Sequence, residues 1–323
     1  MKKKVLALAL AITTAMSLAG CGGNSGSTAS TTAAAASAET AAAAPSNSGA
    51  ETIKIICPYG VGGTADVIAR KYALVAGKTH PEYNFIVENM TGGDGFAAAN
   101  YYTDQDASTR EILVYGYGVA YRHDLGRKYN TEVVDFDRAD IYPVATVDDR
   151  TWIMYTTPAQ TLESILAKAK EGGIKMSGGN PDGEVDVFVG TTQAALEDVE
   201  AGTMIPILAF SESAFEGFKG PDGDIPVPGI AGHAKAPELD ASKDYTGSIL
   251  AAGGFVAVRT GADQAWIDEI VQISKDVWAD AEYSDWISEI MLNKCEIYGE
   301  DAVKHLESAC EKAVAAFDTL SGQ

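Results

Sequence analysis

Ile53-Lys54-Ile55-Ile56-Cys57, followed at once by Pro58-Tyr59-Gly60-Val61-Gly62-Gly63-Thr64-Ala65-Asp66, is the stretch whose reading decides the fold. An apolar run of strand length is broken by a proline and three glycines, the residues that punctuate regular structure. Beyond it, Ala65, Ile68, Ala69, Tyr72, Val75 and Ala76 recur at i, i+3, i+4, i+7 spacing, with Gly77 where a C-terminal cap belongs. This is strand, turn, helix. Phe85-Ile86-Val87 and Ile112-Leu113-Val114-Tyr115 supply two further strands, separated by a turn at Gly92-Gly93-Asp94-Gly95 and a helix from Ala97 to Tyr102. The result is a βαβαβ unit, and the alternation predicts an α/β architecture with largely parallel sheets.

The turn also carries chemistry. A helix that starts near Thr64 presents first-turn N–H groups with no intrahelical partner, and its dipole adds about half a positive charge there. Glycines let a ligand approach that backbone, so a carboxylate can be held without Arg or Lys. The competing reading is that Gly62 and Gly63 merely permit a tight βα turn with Thr64 as N-cap.

Working outward, Leu162, Ile165, Leu166 and Ala169 mark a helix that ends at Gly172-Gly173, so a second domain is expected after Ile153-Met154-Tyr155. The chain then returns through a strand at Phe255 to Val258. One helix follows with Ile267, Ile270, Val271, Ser274 and Trp278 on a face, and another with Val303, Leu306, Cys310, Ala313 and Phe317. The expected boundaries are residues 51–155 with 253–323 for the first lobe and 156–252 for the second. Two lobes joined by two crossings leave a cleft, where small ligands usually bind. No internal repeat is present.

Lys2, Lys3 and Lys4 precede an apolar run from Val5 to Gly20 that closes in Leu18-Ala19-Gly20-Cys21. The run is shorter than the roughly 20 residues of a membrane span and ends in small residues, which marks residues 1–20 as a lipoprotein signal peptide and Cys21 as the lipid-attachment site. Residues 21–50, rich in Gly, Ser, Thr and Ala, have no periodic apolar face and read as a disordered tether reaching on the order of 30 Å. These features place the protein outside the cytoplasm, anchored to a bacterial cell membrane by lipid alone.

The formal charge is −21, from 24 basic against 45 acidic residues, and loss of the three leader lysines makes it more negative. That argues against nucleic acid as a partner, whose binding needs clustered cations. Three cysteines remain, an odd number; a Cys295 to Cys310 disulfide is conceivable outside the cytoplasm, and a free buried thiol is the other reading.

Other patterns lead nowhere. Gly93-Asp94-Gly95-Phe96-Ala97-Ala98 formally fits a dinucleotide fingerprint but lacks an acidic partner after the following strand. No phosphate-loop Gly-Lys-Ser/Thr follows a glycine turn. His80, His123, His233 and His305 have no ligand-spaced neighbours and read as surface or capping residues. Asp135, Asp137 and Asp140 lack the glycine and distal glutamate of a calcium loop, and Ser211 and Ser213 have no nucleophile-elbow context. No cofactor, metal or convergent catalytic set is expected, and the chain does not read as an enzyme.

Pro58 to Asp66 resembles the Pro-aromatic-x-x-Gly-Gly-x-x-Asp motif of the substrate-binding receptors of tripartite tricarboxylate transporters. Glu88-Asn89 with the Gly92 to Gly95 turn, Tyr142-Pro143-Val144-Ala145, Leu162 to Lys170, and Glu184-Val185-Asp186 with Ala194 and Ala201-Gly202 continue the likeness in order. The resemblance covers nearly all of the chain after the tether. It implies a two-lobed periplasmic-binding-protein fold, type II-like, that captures small organic acids and delivers them to membrane permease subunits. Carried over by position, the first ligand loop is Tyr59, Gly60, Val61, Gly62, Gly63, Thr64 and Asp66, and its partner on the second lobe is Ser177, Gly178, Gly179 and Asn180. Both would act largely through main-chain donors, with Tyr59 and Asp66 shaping the loop.

The family normally has a helix, a strand and a further helix before the segment that matches Gly183 to Val189, and these are missing here. Strand-like Ile174 to Ser177 and Val185 to Val189 are separated only by Gly178 to Glu184, too few residues for an ordinary βαβ crossover of about 10 to 12. A hairpin or a rearranged, truncated second lobe is therefore expected. The alternative function is a non-transporting sensor or interaction lipoprotein that has lost ligand binding.

Overall fold

The computed structural model describes residues 49–130, 134–177, 186–231 and 246–321. Cys21 and residues 178–180 of the second expected ligand loop lie outside them, as does His233. The first sheet is five-stranded, built from β1 (Glu51–Cys57), β2 (Tyr83–Asn89), β3 (Glu111–Gly116), β4 (Ile141–Arg150) and, from far along the chain, β11 (Ala252–Arg259). Its order is β2-β1-β3-β11-β4. β1 pairs in parallel with β2 and β3, as the βαβαβ reading requires, whereas β11 runs antiparallel to both β3 and β4.

Alternation along β1 divides the core. Ile53, Ile55 and Cys57 face α1 (Thr64–Thr79), α6 (Gln264–Ala279) and α7 (Ala281–Glu289), while Ile56 faces α2 (Phe96–Thr103), α3 (Tyr117–Tyr129) and α8 (Glu300–Ser321). Helices on both faces explain the near-continuous apolar runs of β1 and β3. On the α1 side the aromatic tips are satisfied: Tyr72 and Ser274 share a hydrogen bond of 2.9 Å, Trp278 donates to the Thr146 carbonyl at 2.8 Å, and Tyr283 donates to the Val147 carbonyl at 2.7 Å, whereas on the other face the buried Tyr115 hydroxyl has no partner among the described residues. Full burial of each such aromatic body stabilises the fold by roughly 1.5–3 kcal/mol.

The second sheet has the order β6-β7-β5-β8, from β5 (Trp152–Thr156), β6 (Met176–Ser177), β7 (Val187–Thr191) and β8 (Ile205–Ala209). It carries α4 (Leu162–Lys170), the short α5 (Leu196–Glu200) and a hairpin of β9 (Phe215–Gly220) and β10 (Gly223–Val227). α4 starts at a reciprocal capping box, Thr161 accepting from the Ser164 N–H while the Thr161 N–H donates to the Ser164 hydroxyl.

Four sequence expectations are corrected here. β5 pairs antiparallel with β7 and β8, so Ile153 to Tyr155 belongs to the second sheet and the first crossing lies at Thr151. The sheets are mixed rather than largely parallel, because each receives a strand that enters from the opposite end. β6 and β7 pair in parallel, not as a hairpin, with Met176 opposite Val187 and Ser177 opposite Phe188. That ladder is two residues long. Gly77 is buried inside α1, which continues to Thr79 and ends at His80; the Thr79 hydroxyl donates to the Val75 and Ala76 carbonyls and holds that last turn.

Cys57, Cys295 and Cys310 are free thiols, which removes the Cys295 to Cys310 disulfide. His123 is buried rather than superficial, bonded to Asp124 at 2.7 Å and accepting from the Arg138 N–H at 3.2 Å. Among the described residues no helix is long and apolar enough to cross a membrane.

Candidate functional site

The turn between β1 and α1 is held in shape by one carboxylate. Gly62 adopts φ +83°, a left-handed conformation that a side chain would strain. Its N–H donates to Asp66 Oδ2 at 2.9 Å, and the Gly63 N–H closes the turn on the Gly60 carbonyl at 3.2 Å. Asp66 is 1% exposed. Its other oxygen meets Arg70 Nη2 at 2.8 Å and Asn89 Nδ2 at 2.7 Å, and Asn89 Nδ2 also reaches the Tyr59 carbonyl at 2.9 Å. Burial works against ionisation of Asp66, but Arg70, the Gly62 N–H and Asn89 together outweigh it and hold the carboxyl below its ordinary range. The aspartate therefore ties turn, helix and neighbouring strand together.

Thr64 is not the N-cap. Gly63 is, in extended conformation and with no side-chain cap bond, and the freed Thr64 hydroxyl donates to Gln193 Oε1 of the second lobe at 2.6 Å. α3 also starts on an extended glycine, Gly116, with no side-chain cap bond. Glycine brings no oxygen to the first-turn N–H groups, so at both starts those donors are left to a ligand or to water.

Between the two sheets lies a cavity of about 270 Å³. Tyr59, Ala65, Val114, Gly116, Gly118 and Tyr121 line it from the first lobe, Trp152 and Thr191 from the second, and Arg150 with residues 250–254 from the crossing strands. Ala65 and Gly118 stand in the first turns of α1 and α3, so both helix starts open onto one space. Tyr121 donates to the Ala251 carbonyl at 2.9 Å, and Tyr155 donates to the Thr191 carbonyl at 3.0 Å, which fixes both walls. Burial, with Asp94 adding, raises the Tyr59 phenol to about 12, so it stays a neutral donor.

Arg150 is the residue that sequence reasoning missed. It ends β4, and its guanidinium makes a bidentate pair with Asp148, through Nε to Oδ2 and through Nη2 to Oδ1 at 3.2 Å. Asp148 is 0% exposed. Gly253 opposite makes the arrangement possible: its φ is +119°, and a Cβ there would lie 2.4 Å from the Asp148 carbonyl oxygen. The ladder between β11 and β4 shifts register beside this point, between Gly254 and Phe255, the mark of a β-bulge. No linear motif announces a cation placed by a bulge with a distant strand.

The expected site residues divide. Tyr59 lines the cavity, Gly63 starts its helix, and Thr64 bridges to the second lobe. Gly60, Gly62 and Asp66 build the turn, while Val61 is 79% exposed at its tip. Ser177 ends β6 opposite Phe188. Among the described residues no group of three His, Cys, Asp or Glu side chains could hold a metal ion.

No family model matches the chain. No curated protein matches it either. Solved structures do. A TctC solute binding protein from Polaromonas, without ligand, aligns with a TM-score of 0.57 at 16% identity over 84% of this chain and 99% of that one. MatC from Rhodopseudomonas palustris with bound malate aligns with a TM-score of 0.64 at 14% identity over 83% and 98%. An R. palustris protein solved with adipate gives 0.64 at 16% identity over 82% and 97%, and the periplasmic binding protein BugD gives 0.63 at 14% over 84% and 97%. The chain therefore has the two-lobed α/β fold of periplasmic solute-binding proteins of the TctC and BugD type.

Proposed function

We propose that the protein is an extracytoplasmic solute receptor, lipid-anchored through Cys21, that binds a small organic acid between its lobes and delivers it to a tripartite tricarboxylate-type secondary transporter. The observation that carries this reading is the 270 Å³ interlobe cavity onto which two glycine-started helices open. Helix starts without capping side chains supply N–H donors and a positive field, the two things a carboxylate needs. Walls drawn from both lobes let a bound ligand hold them together, which is how a receptor reports occupancy to a membrane partner. The malate and adipate of the structurally similar proteins belong to the same chemical class.

Thermal unfolding of the purified protein against malate, adipate, citrate and benzoate tests the reading. A ligand at 100 times its dissociation constant adds about 2.7 kcal/mol to the folded state, and the melting temperature rises accordingly. A transition that no carboxylate moves at millimolar concentration overturns it and leaves a sensor or interaction lipoprotein without a ligand.

A further inference from the structure

Building on the receptor reading, we infer that Arg150 is the residue that recognises ligand charge, and that the ligand is a compact monocarboxylate with an apolar body. Arg150 lines the cavity and its side chain is 16% exposed. Its hydrogen bonds among the described residues run from Nε and Nη2 to Asp148, and Nη1 makes none. Asp148 thus acts as a positioning residue: it spends one edge of the planar guanidinium and fixes the direction of the rest. Arg150 is the one cation among the described residues that line this space.

Charge balance sets the ligand class. The Arg150–Asp148 pair is neutral as a whole, and the two helix starts contribute about half a positive charge each. Their total of about one positive charge matches a single carboxylate. A second carboxylate would have to shed its water among Val114, Trp152, Leu250 and the ring of Tyr59, where no further cation is described. Those same walls welcome an apolar or aromatic body. A cavity of about 150 Å³ accommodates benzene, so 270 Å³ holds a ring with its carboxylate.

Arg150 also ends the strand that crosses between lobes, one residue before Thr151 and two before Trp152 of the second sheet. A carboxylate held by this guanidinium therefore touches the crossing itself.

Calorimetric titration of the full chain with benzoate, its uncharged isostere benzamide, malate and adipate tests the inference, in the native protein, in the doubly neutral Asp148→Asn/Arg150→Met variant and in Arg150→Lys. The double variant leaves no buried unpaired carboxylate, and the lysine variant keeps a partner for Asp148 should the double variant fail to fold. The native protein should bind benzoate at least about 10-fold more tightly than malate or adipate. Benzoate affinity should fall about 10- to 100-fold in the double variant, and by a smaller factor in Arg150→Lys, while benzamide binding stays within about 3-fold.

Equal benzoate affinity in native and variant proteins overturns the role of Arg150. Tighter binding of malate or adipate than of benzoate overturns the monoanion class. Both results leave the receptor reading standing. Failure of the native protein to bind any of the four overturns that reading and this one together.

Discussion

The two lobes approach the cleft with unequal resources. The first brings a five-stranded sheet with helices on both faces and a turn locked by the buried Asp66 with its half-buried partners Arg70 and Asn89. The second brings four strands, one of them two residues long, and meets the turn through Gln193 and the cavity through Trp152 and Thr191. The difference separates shape from closure. Groups that would hold a ligand come from the first lobe and the crossing strands, and the second lobe contributes a wall.

Substitutions that respect this division sharpen it. The largest loss is expected for Gly253→Ala, which forces an L side chain to φ +119° and places its Cβ against the Asp148 carbonyl. About 4 kcal/mol of stability should go, read as a lower denaturant midpoint, together with any benzoate binding. Gly118→Ala is its control, because nothing lies within 4 Å of that Cβ and φ is not positive. It should leave stability unchanged within about 0.5 kcal/mol while narrowing the cavity.

Asp66→Ala removes the acceptor of the Gly62 N–H and one partner each of Arg70 and Asn89, and should cost about 2 kcal/mol. The pH dependence follows from the lowered carboxyl: its stabilisation is complete above the unfolded value of about 3.9 and drains away as pH falls through the folded value. Asp66→Asn should therefore flatten the acid limb of a stability curve below about pH 4, and an unchanged limb would show that other carboxylates dominate it.

Thr161→Ala removes the capping box of α4 and should cost about 1 kcal/mol within the second lobe alone. If the lobes unfold as one cooperative unit, the single melting transition shifts; if not, one of two transitions moves. Gln193→Ala is the smallest change, about 0.5 kcal/mol, because the Thr64 hydroxyl is only half-buried and can turn to water. Its signature is geometric: small-angle scattering should show a larger radius of gyration without ligand and no change with it.

Much of the first lobe was legible in its sequence because its signals are local. The apolar run of β1 and the Ile68, Tyr72, Val75 stripe of α1 belong to one stretch of chain, and each meets the core as its period requires. Gly77 misled because a buried glycine packed against a core looks like a cap when only its neighbours are read. α3 escaped notice because Gly118 and Gly126 interrupt it and its buried face is largely aromatic. The site was half visible. Tyr59, Gly63 and Thr64 were found from the turn, whereas Arg150 depends on the left-handed Gly253 and the bulge beside it between Gly254 and Phe255, a pairing that no local pattern encodes.

β11 has a consequence in time. Because Ala252–Arg259 inserts between β3 and β4, the first lobe holds an open slot until β11 has arrived, while the strands of the second sheet lie together in sequence. The strands of the second sheet can therefore pair while the first sheet still lacks the strand that joins β3 to β4. A chain cut after Ala251 would keep the glycine turn and the helix behind it and would never form a cleft.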